Sequence, residues 1–422
     1  MYELKEKLIF QKYFYLLLLL FPITTILGPT VSLSNIILIN ISFLILLFKI
    51  NNFLFLKSYP FKLLLALYVY LIFNTFISID QTIGLARNLG FLRFVILFVF
   101  INYFFYNYNS RKILDYWVIL FSIFLSDVFI EYFFGSNIFG WGAIEINGVP
   151  QPHGPRVVSF FKDEPIAGAF LISFMFMLFG HLLSNQKLNK IFAWIFLAIA
   201  LLGILLTGER SNFIKAFLGF FIFFSLVDFL RLKLKIFFGI SFLALLTIIL
   251  IKSPYLNNRF INQAFEQINS KEKLEIFYEE NVYAKLYKSG FSVFKNYPYF
   301  GVGNKNYRVE VCDTKNHHKS NYYCLTHPHQ VYIEFLSEHG LFGTIILLGI
   351  FFFMMFKILK EITRSQNYVQ LGAFVFIVIN FTPIIPTGSF FSDFNSTNFW
   401  LNVSIMYACN SNTNIFDKYN KT

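Results

Sequence analysis

The chain has 422 residues, of which 56% are hydrophobic, 21% aromatic and only 14% charged. A water-facing protein carries about 25% charged residues, so soluble domains are excluded, and so is disorder, which needs low hydrophobicity. Runs such as LLLLLFPITTIL, FLILLF and LALLTIILI are continuous, unlike the roughly 10-residue alternation of transmembrane barrel strands. The class that remains is an all-α polytopic membrane protein.

Taking about 20 residues per crossing, the sequence predicts twelve spans, near 13–30, 31–48, 62–79, 87–106, 113–134, 166–184, 190–206, 212–229, 236–251, 341–357, 368–385 and 395–410. The first run has no small-residue cleavage site and reads as a span, not a signal peptide. Residues 1–251 would hold spans 1–9, with an outer loop at 135–165. Residues 252–340 would form a large outer loop folded as a small helical cap. Residues 341–422 would hold spans 10–12 and an inner tail. Between Asn258 and Lys288, charges mix with Phe, Leu and Ile at helical spacing, which predicts amphipathic helices on the membrane surface.

The net charge of +12 invites a nucleic-acid reading. However, no compact basic domain, finger spacing or aromatic-interleaved basic stripe is present. With the N-terminus inside, Lys49, Lys57, Arg111, Lys112, Lys187, Lys190, Arg231, Lys357 and Lys360 fall at inner connections. The short outer connections keep only a few cations, among them Arg87, Arg93, Arg156 and Arg210. This asymmetry is the positive-inside pattern, with both termini inside and a bilayer as the partner.

Under that topology the unusual polar residues gather on the outer face. His329 follows Pro328 and opens a helical pattern, so it is expected in the first turn. Positions 333, 336, 340 and 343 would share its face, and Gly340 and Gly343 would let another helix approach closely. Gln330, Glu334 and Glu338 form an adjacent stripe. Imidazole suits proton transfer near neutral pH; the plainer reading is an interfacial histidine that caps a helix.

Arg210, in TGERSNF, begins a span where the helix N-terminus already favours anions, and phosphate is the natural guest. It could instead pair with Glu209 or reach toward lipid head groups. Arg156 could likewise pair with Asp163 or Glu164. Arg308 follows YFGVGNKNY on the same face. Cys312 and Cys324 share the long loop, and in an oxidising compartment a disulfide is expected. The rival is a zinc site from Cys312, His317, His318, Cys324 and His327.

The run His329-Gln330, nine residues, then Gly340-Leu341-Phe342-Gly343 resembles the signature of bacterial O-antigen ligases. Pro298, Gly301 and Gly303 are similar to that family's Pro-x-x-Gly-x-Gly turn. TGERSNF resembles its Gly-Ser-Arg-Gly-like turn, and RVVSFFKDEPIAGAFL its arginine-containing lead-in to a span. The chain departs from the pattern at Glu209, Ser211 and Asn212, and at Asp163-Glu164-Pro165. The resemblance implies transfer of a glycan from undecaprenyl diphosphate to a lipid A-core hydroxyl on the periplasmic face of the bacterial inner membrane. His329 would be the catalytic base or positioning group, and Arg156 and Arg210 would clamp the diphosphate. Arg308, Gln330 and Glu338 are possible supporting residues. No cofactor or metal is expected, with arginine taking the place of a divalent ion. O-antigen polymerases share the architecture, and joining lipid-linked repeat units is the alternative reaction. A transporter of lipid-linked sugars is the rival of a different class, with Asp127, Glu131 and Lys215 as its intramembrane candidates.

Overall fold

The computed structural model describes residues 2–146, 149–151, 153–228, 232–262, 281–316 and 321–417. The architecture is all-helical apart from a two-residue antiparallel pair, Glu145–Ile146 with Val149–Pro150. Among the described residues, six helices are long and apolar enough to cross a membrane: Pro29–Ile50, Tyr59–Phe76, Gln81–Asn107, Arg111–Phe134, Ala167–Ser184 and Val331–Ser365. Lys190–Leu206 and Tyr368–Asn380 are shorter apolar helices. The first expected span is interrupted, running as Tyr2–Leu19 and Phe21–Ile26 before Gly28, at φ 110°, turns the chain into Pro29. Pro29 and Pro60 stand in the first turns of their helices, where a missing N–H costs nothing.

Ala167–Ser184 is the central helix. Nearly all its side chains are buried, and it packs on Lys190–Leu206 and Tyr368–Asn380. Gly180 and Gly372 permit the latter contact, since a Cβ at either would lie 2.0 Å from the facing backbone. Helices thus approach through small residues where the solvent offers no hydrophobic drive. Polar pairs fasten both ends. At one end Asp115 meets His181 at 2.7 Å, and Asn367 donates to the Cys409 carbonyl. At the other, Arg87 and Arg93 share Asp393 at 2.9 and 2.7 Å.

The boundary expected at residue 340 is not the start of a helix. Helix Val331–Ser365 begins nine residues earlier and breaks at Gly340, whose φ of 63° and ψ of −168° are not helical. In an unbroken helix Leu341 and Phe342 would donate to the carbonyls of Ser337 and Glu338. Instead their N–H groups go to Pro298 and Tyr299, at 2.8 and 3.1 Å. The two abandoned carbonyls accept from Val302 and Gly303, at 3.0 and 2.8 Å. The turn at 298–303 therefore replaces, bond for bond, what the kink removes. Gly301, at φ 69°, fits because a Cβ there would lie 2.4 Å from the Glu338 carbonyl carbon.

Buried asparagines fix the same turn to the helices beneath it. Asn304 N donates to Asn74 at 2.8 Å, Asn304 Nδ2 to Asn88 at 2.6 Å, and Asp80 N to Asn306 at 2.7 Å. The long loop is thereby tied to Tyr59–Phe76 and to the Gln81–Gly90 helix.

Gly340→Ala should destabilise the fold strongly. A Cβ there would meet the backbone of Tyr299 and Phe300 at 2.4 Å, and left-handed backbone costs a non-glycine residue about 1–2 kcal/mol besides. Gly349→Ala, with nothing within 4 Å, should be neutral. Thermal unfolding of the two purified variants checks the contrast.

Candidate active site

The arginine half of the site is built on the turn between Lys190–Leu206 and Arg210–Leu226. Gly208 holds φ 72°, and a Cβ on it would strike the Tyr255 hydroxyl at 2.4 Å and approach Arg156 Cγ at 3.6 Å. Three segments converge here because that side chain is absent. Val157 N donates to the Thr207 carbonyl at 3.2 Å, Tyr255 Oη to Pro155 O at 2.8 Å, and Arg259 Nε to Gly208 O at 3.3 Å. Arg156 is oriented by its own loop, its Nε donating to His153 O at 3.0 Å.

Arg259 is the residue the sequence reading missed. Burial first, and then the nearby charges of Arg210 and Arg156, hold its guanidinium below the usual range. Three cations therefore act on one another at one turn. Neither Arg156 nor Arg210 forms an ion pair among the described residues, so the expected partners Asp163 and Glu164 do not neutralise Arg156. Glu209 is not paired with Arg210. Its carboxylate accepts from Gly168 N and Asn212 Nδ2, and burial pushes its pKa up to about 7, so it offsets the arginines only in part. Arg156 and Arg210 thus stand without an ion pair among the described residues, and a planar guanidinium fork is the geometry that matches phosphate.

The loop that carries Arg156 is held by acids singled out as transporter candidates. Glu131 accepts from Val158 N and Ser159 N, while Asp127 accepts from Ser159 Oγ and Ile138 N. They anchor a loop, which is a structural use. Lys215 is buried within Arg210–Leu226.

The histidine half differs from expectation in local geometry. His329 is not in the first helical turn: it sits at φ 55°, ahead of the N-cap. The N-cap is Gln330, whose Oε1 accepts from Tyr332 N at 2.8 Å and Ile333 N at 3.0 Å. Capping commits Gln330 to the backbone, and it leaves the imidazole of His329 outside the helix. The rings of His327 and His329 lie 3.8 Å apart, and Tyr283 packs edge-on to His329 at 5.9 Å. Tyr283 also interacts electrostatically with Arg259.

Burial lowers the pKa of His329 and takes that of His327 down to about 3, helped by His329 and by the Lys305 charge. Both rings are neutral near pH 7, the state a proton acceptor requires. Lys305 Nζ donates to Ser389 Oγ at 3.2 Å, and Ser389 Oγ donates to Glu334 at 2.7 Å. Glu338 is buried and accepts from Tyr307 N at 3.4 Å, with Oε2 lacking a partner among the described residues. Arg308 lies exposed on the short helix Tyr307–Cys312.

Cys312 and Cys324 form a disulfide with Cα atoms 4.7 Å apart. It closes a sub-layer in which Tyr307 Oη donates to Ser289 Oγ at 2.8 Å, beside Val293 and Val302. The zinc reading needed His317 and His318, which lie outside the described residues. No metal-holding group of three or more His, Cys, Asp or Glu occurs among the described residues.

The all-helical, membrane-type fold thus carries an arginine-bearing turn and a neutral histidine pair. Residues 195–348, rather more than a third of the chain's length, match the family described as O-antigen ligase. That match supports a membrane glycosyltransferase-like enzyme of O-antigen biosynthesis, of ligase or polymerase type, acting on lipid-linked glycans. The match covers Arg210, Arg259, the 298–303 turn, both histidines and the Gly340 kink, and leaves Arg156 outside. No curated protein matches the chain.

The histidines set a sign for acid stability. A group whose folded pKa is depressed below its unfolded value of about 6.5 binds more protons unfolded, so stability falls as pH drops below that value. The raised pKa of Glu209 acts with the opposite sign over the same range, so the histidine contribution is read as a difference: the change in unfolding temperature from pH 7 to pH 5 should be more favourable in His327→Gln than in the wild type. An unchanged slope in the variant would assign the acid sensitivity to other groups.

Proposed function

We propose that this chain transfers a glycan from undecaprenyl diphosphate to a sugar hydroxyl of lipid A-core, on the periplasmic face of the bacterial inner membrane. The observation that carries the reading is the convergence of the Arg156 loop, Arg210 and Arg259 on the Gly208 turn, within the same chain as a pair of neighbouring imidazoles, His327 and His329. Twelve crossings with both termini inside are part of the proposal. The basic residues at inner connections and the gathering of the site at the opposite end support it.

In the reaction, the acceptor hydroxyl oxygen attacks the anomeric carbon as His329 accepts its proton. The bond from that carbon to the diphosphate oxygen breaks, and the departing diphosphate takes the electron pair. Its charge develops against three fixed guanidinium groups, which is electrostatic stabilisation placed where the transition state needs it. No metal is required in this account, and activity should survive a chelator.

An apolar groove supports a polyprenyl donor. It is lined by Ala198, Leu201, Leu205, Phe213, Leu246 and Ile249, and Phe213 lies one helical turn from Arg210. A lipid tail seated there would place its diphosphate at the arginines.

Reconstitution with an undecaprenyl-diphosphate-linked glycan tests the reading. Lipid A-core or a second lipid-linked glycan is offered as acceptor, and the product separates ligase from polymerase. His329→Ala should lower transfer by about 10²-fold or more, with normal expression. Arg156→Lys, Arg210→Lys and Arg259→Lys keep charge but lose the fork, and each should lower transfer sharply. Wild-type rates in His329→Ala would remove the catalytic assignment.

A smaller prediction concerns the groove. Leu205→Trp should slow transfer from the long-chain donor more than from a short-chain isoprenoid donor, read as the ratio of the two kcat/KM values. An unchanged ratio would place the tail elsewhere.

A further inference from the structure

The segment between Tyr368–Asn380 and Asp393–Ala408 forms a strap over the histidine pair. It is fastened at both ends. Tyr332 Oη donates to Phe381 O at 2.6 Å, while Ser389 Oγ and Phe390 N donate to Glu334. Between these points, Tyr287 Oη reaches Ile384 O at 2.9 Å and Thr387 N donates to His329 O at 2.8 Å. Pro383 and Pro386 keep the strap out of helix, and Ile384 stands 80% exposed at φ 71°.

Two polar atoms under this strap are shielded from solvent and have no hydrogen-bond partner among the described residues: His327 Nε2 and Thr387 Oγ1. The other ring nitrogen of His327 is engaged with Thr326 Oγ1 at 3.0 Å. Buried polar atoms are nearly always paired, and here the backbone of Thr387 lies against both imidazoles. The ring centroids of His327 and His329 lie 3.8 Å apart, so a group held at His327 lies beside the imidazole of His329. Lys305 is the charged group acting on His327 from the facing turn.

We infer that His327 Nε2 and Thr387 Oγ1 form an acceptor-sugar subsite that binds the hydroxyl next to the one presented to His329. The ligand class is a vicinal diol of a pyranose. His327 and Thr387 are then positioning residues that select which hydroxyl reacts, and the strap's outer part yields to admit the sugar. This inference rests on the transferase reading above.

The test uses the reconstituted full chain at saturating undecaprenyl-diphosphate-linked glycan. The varied substrate is whichever acceptor, lipid A-core or lipid-linked glycan, the wild type uses. His327→Phe keeps the ring and removes the nitrogens; Thr387→Val keeps the shape and removes the hydroxyl. Each should raise the acceptor KM about tenfold, a single lost hydrogen bond's worth. The donor KM should not move and kcat should fall much less. His327→Gln, which restores a polar atom, should recover part of the loss. Unchanged acceptor KM in both His327→Phe and Thr387→Val would overturn the inference alone. Equal losses in kcat and in both KM values would overturn it too, by showing a structural role. A wild-type chain that moved no glycan to either acceptor would overturn the transferase reading, and the subsite with it.

Discussion

The exchange of backbone hydrogen bonds at Gly340 is the constraint on which the site depends. A helix that breaks inside an apolar environment must re-satisfy its freed groups, because no water is there to do so. The 298–303 turn supplies two donors and two acceptors at the matching positions. That docking fixes the long loop to the helix that begins just after the histidines. The loop then carries Tyr283 and Lys305 to the histidines, while Asn74 and Asn88 hold the turn from below. Glycine at 301, 303 and 340 is a packing requirement here. Added side chains would overlap the backbone of Glu338, the side chain of Ser78 and the backbone of Tyr299.

The arginine half obeys a related rule. Gly208 makes room for Tyr255 and Arg156, and its carbonyl orients Arg259. Arg156 and Arg210 both act on Arg259 with like charge, and the buried acids Asp127 and Glu131 anchor the Arg156 loop. Holding like charges close together costs stability. The cost is carried by helices whose stability comes from interior packing around Ala167–Ser184.

The helical class was legible because composition and run length decide it before any residue is examined. His329, Arg156 and Arg210 were legible because each stands in a short polar run flanked by apolar ones. The helical placement of His329 was not, since Gln330 is the better cap and stops the helix at Val331. Gln330, expected as a possible supporting residue on a helical stripe, stands at the N-cap instead. Arg259 was hidden in a charged stretch read as membrane-surface helix. Its significance comes from contact with Gly208, 51 residues away in sequence, which no local pattern encodes. The 381–392 strap was partly absorbed into an expected span, although Pro383 and Pro386 were visible markers of its irregular path.

The central claim is that one diphosphate occupies the space among Arg156, Arg210 and Arg259, within reach of His329. A cryo-electron microscopy structure of the full chain with undecaprenyl diphosphate in a lipid nanodisc addresses it most directly. The account predicts diphosphate density contacted by all three guanidinium groups, with the isoprenoid running along the groove beneath Phe213. Diphosphate density at another part of the molecule, with these three arginines turned to protein or lipid partners, would contradict it.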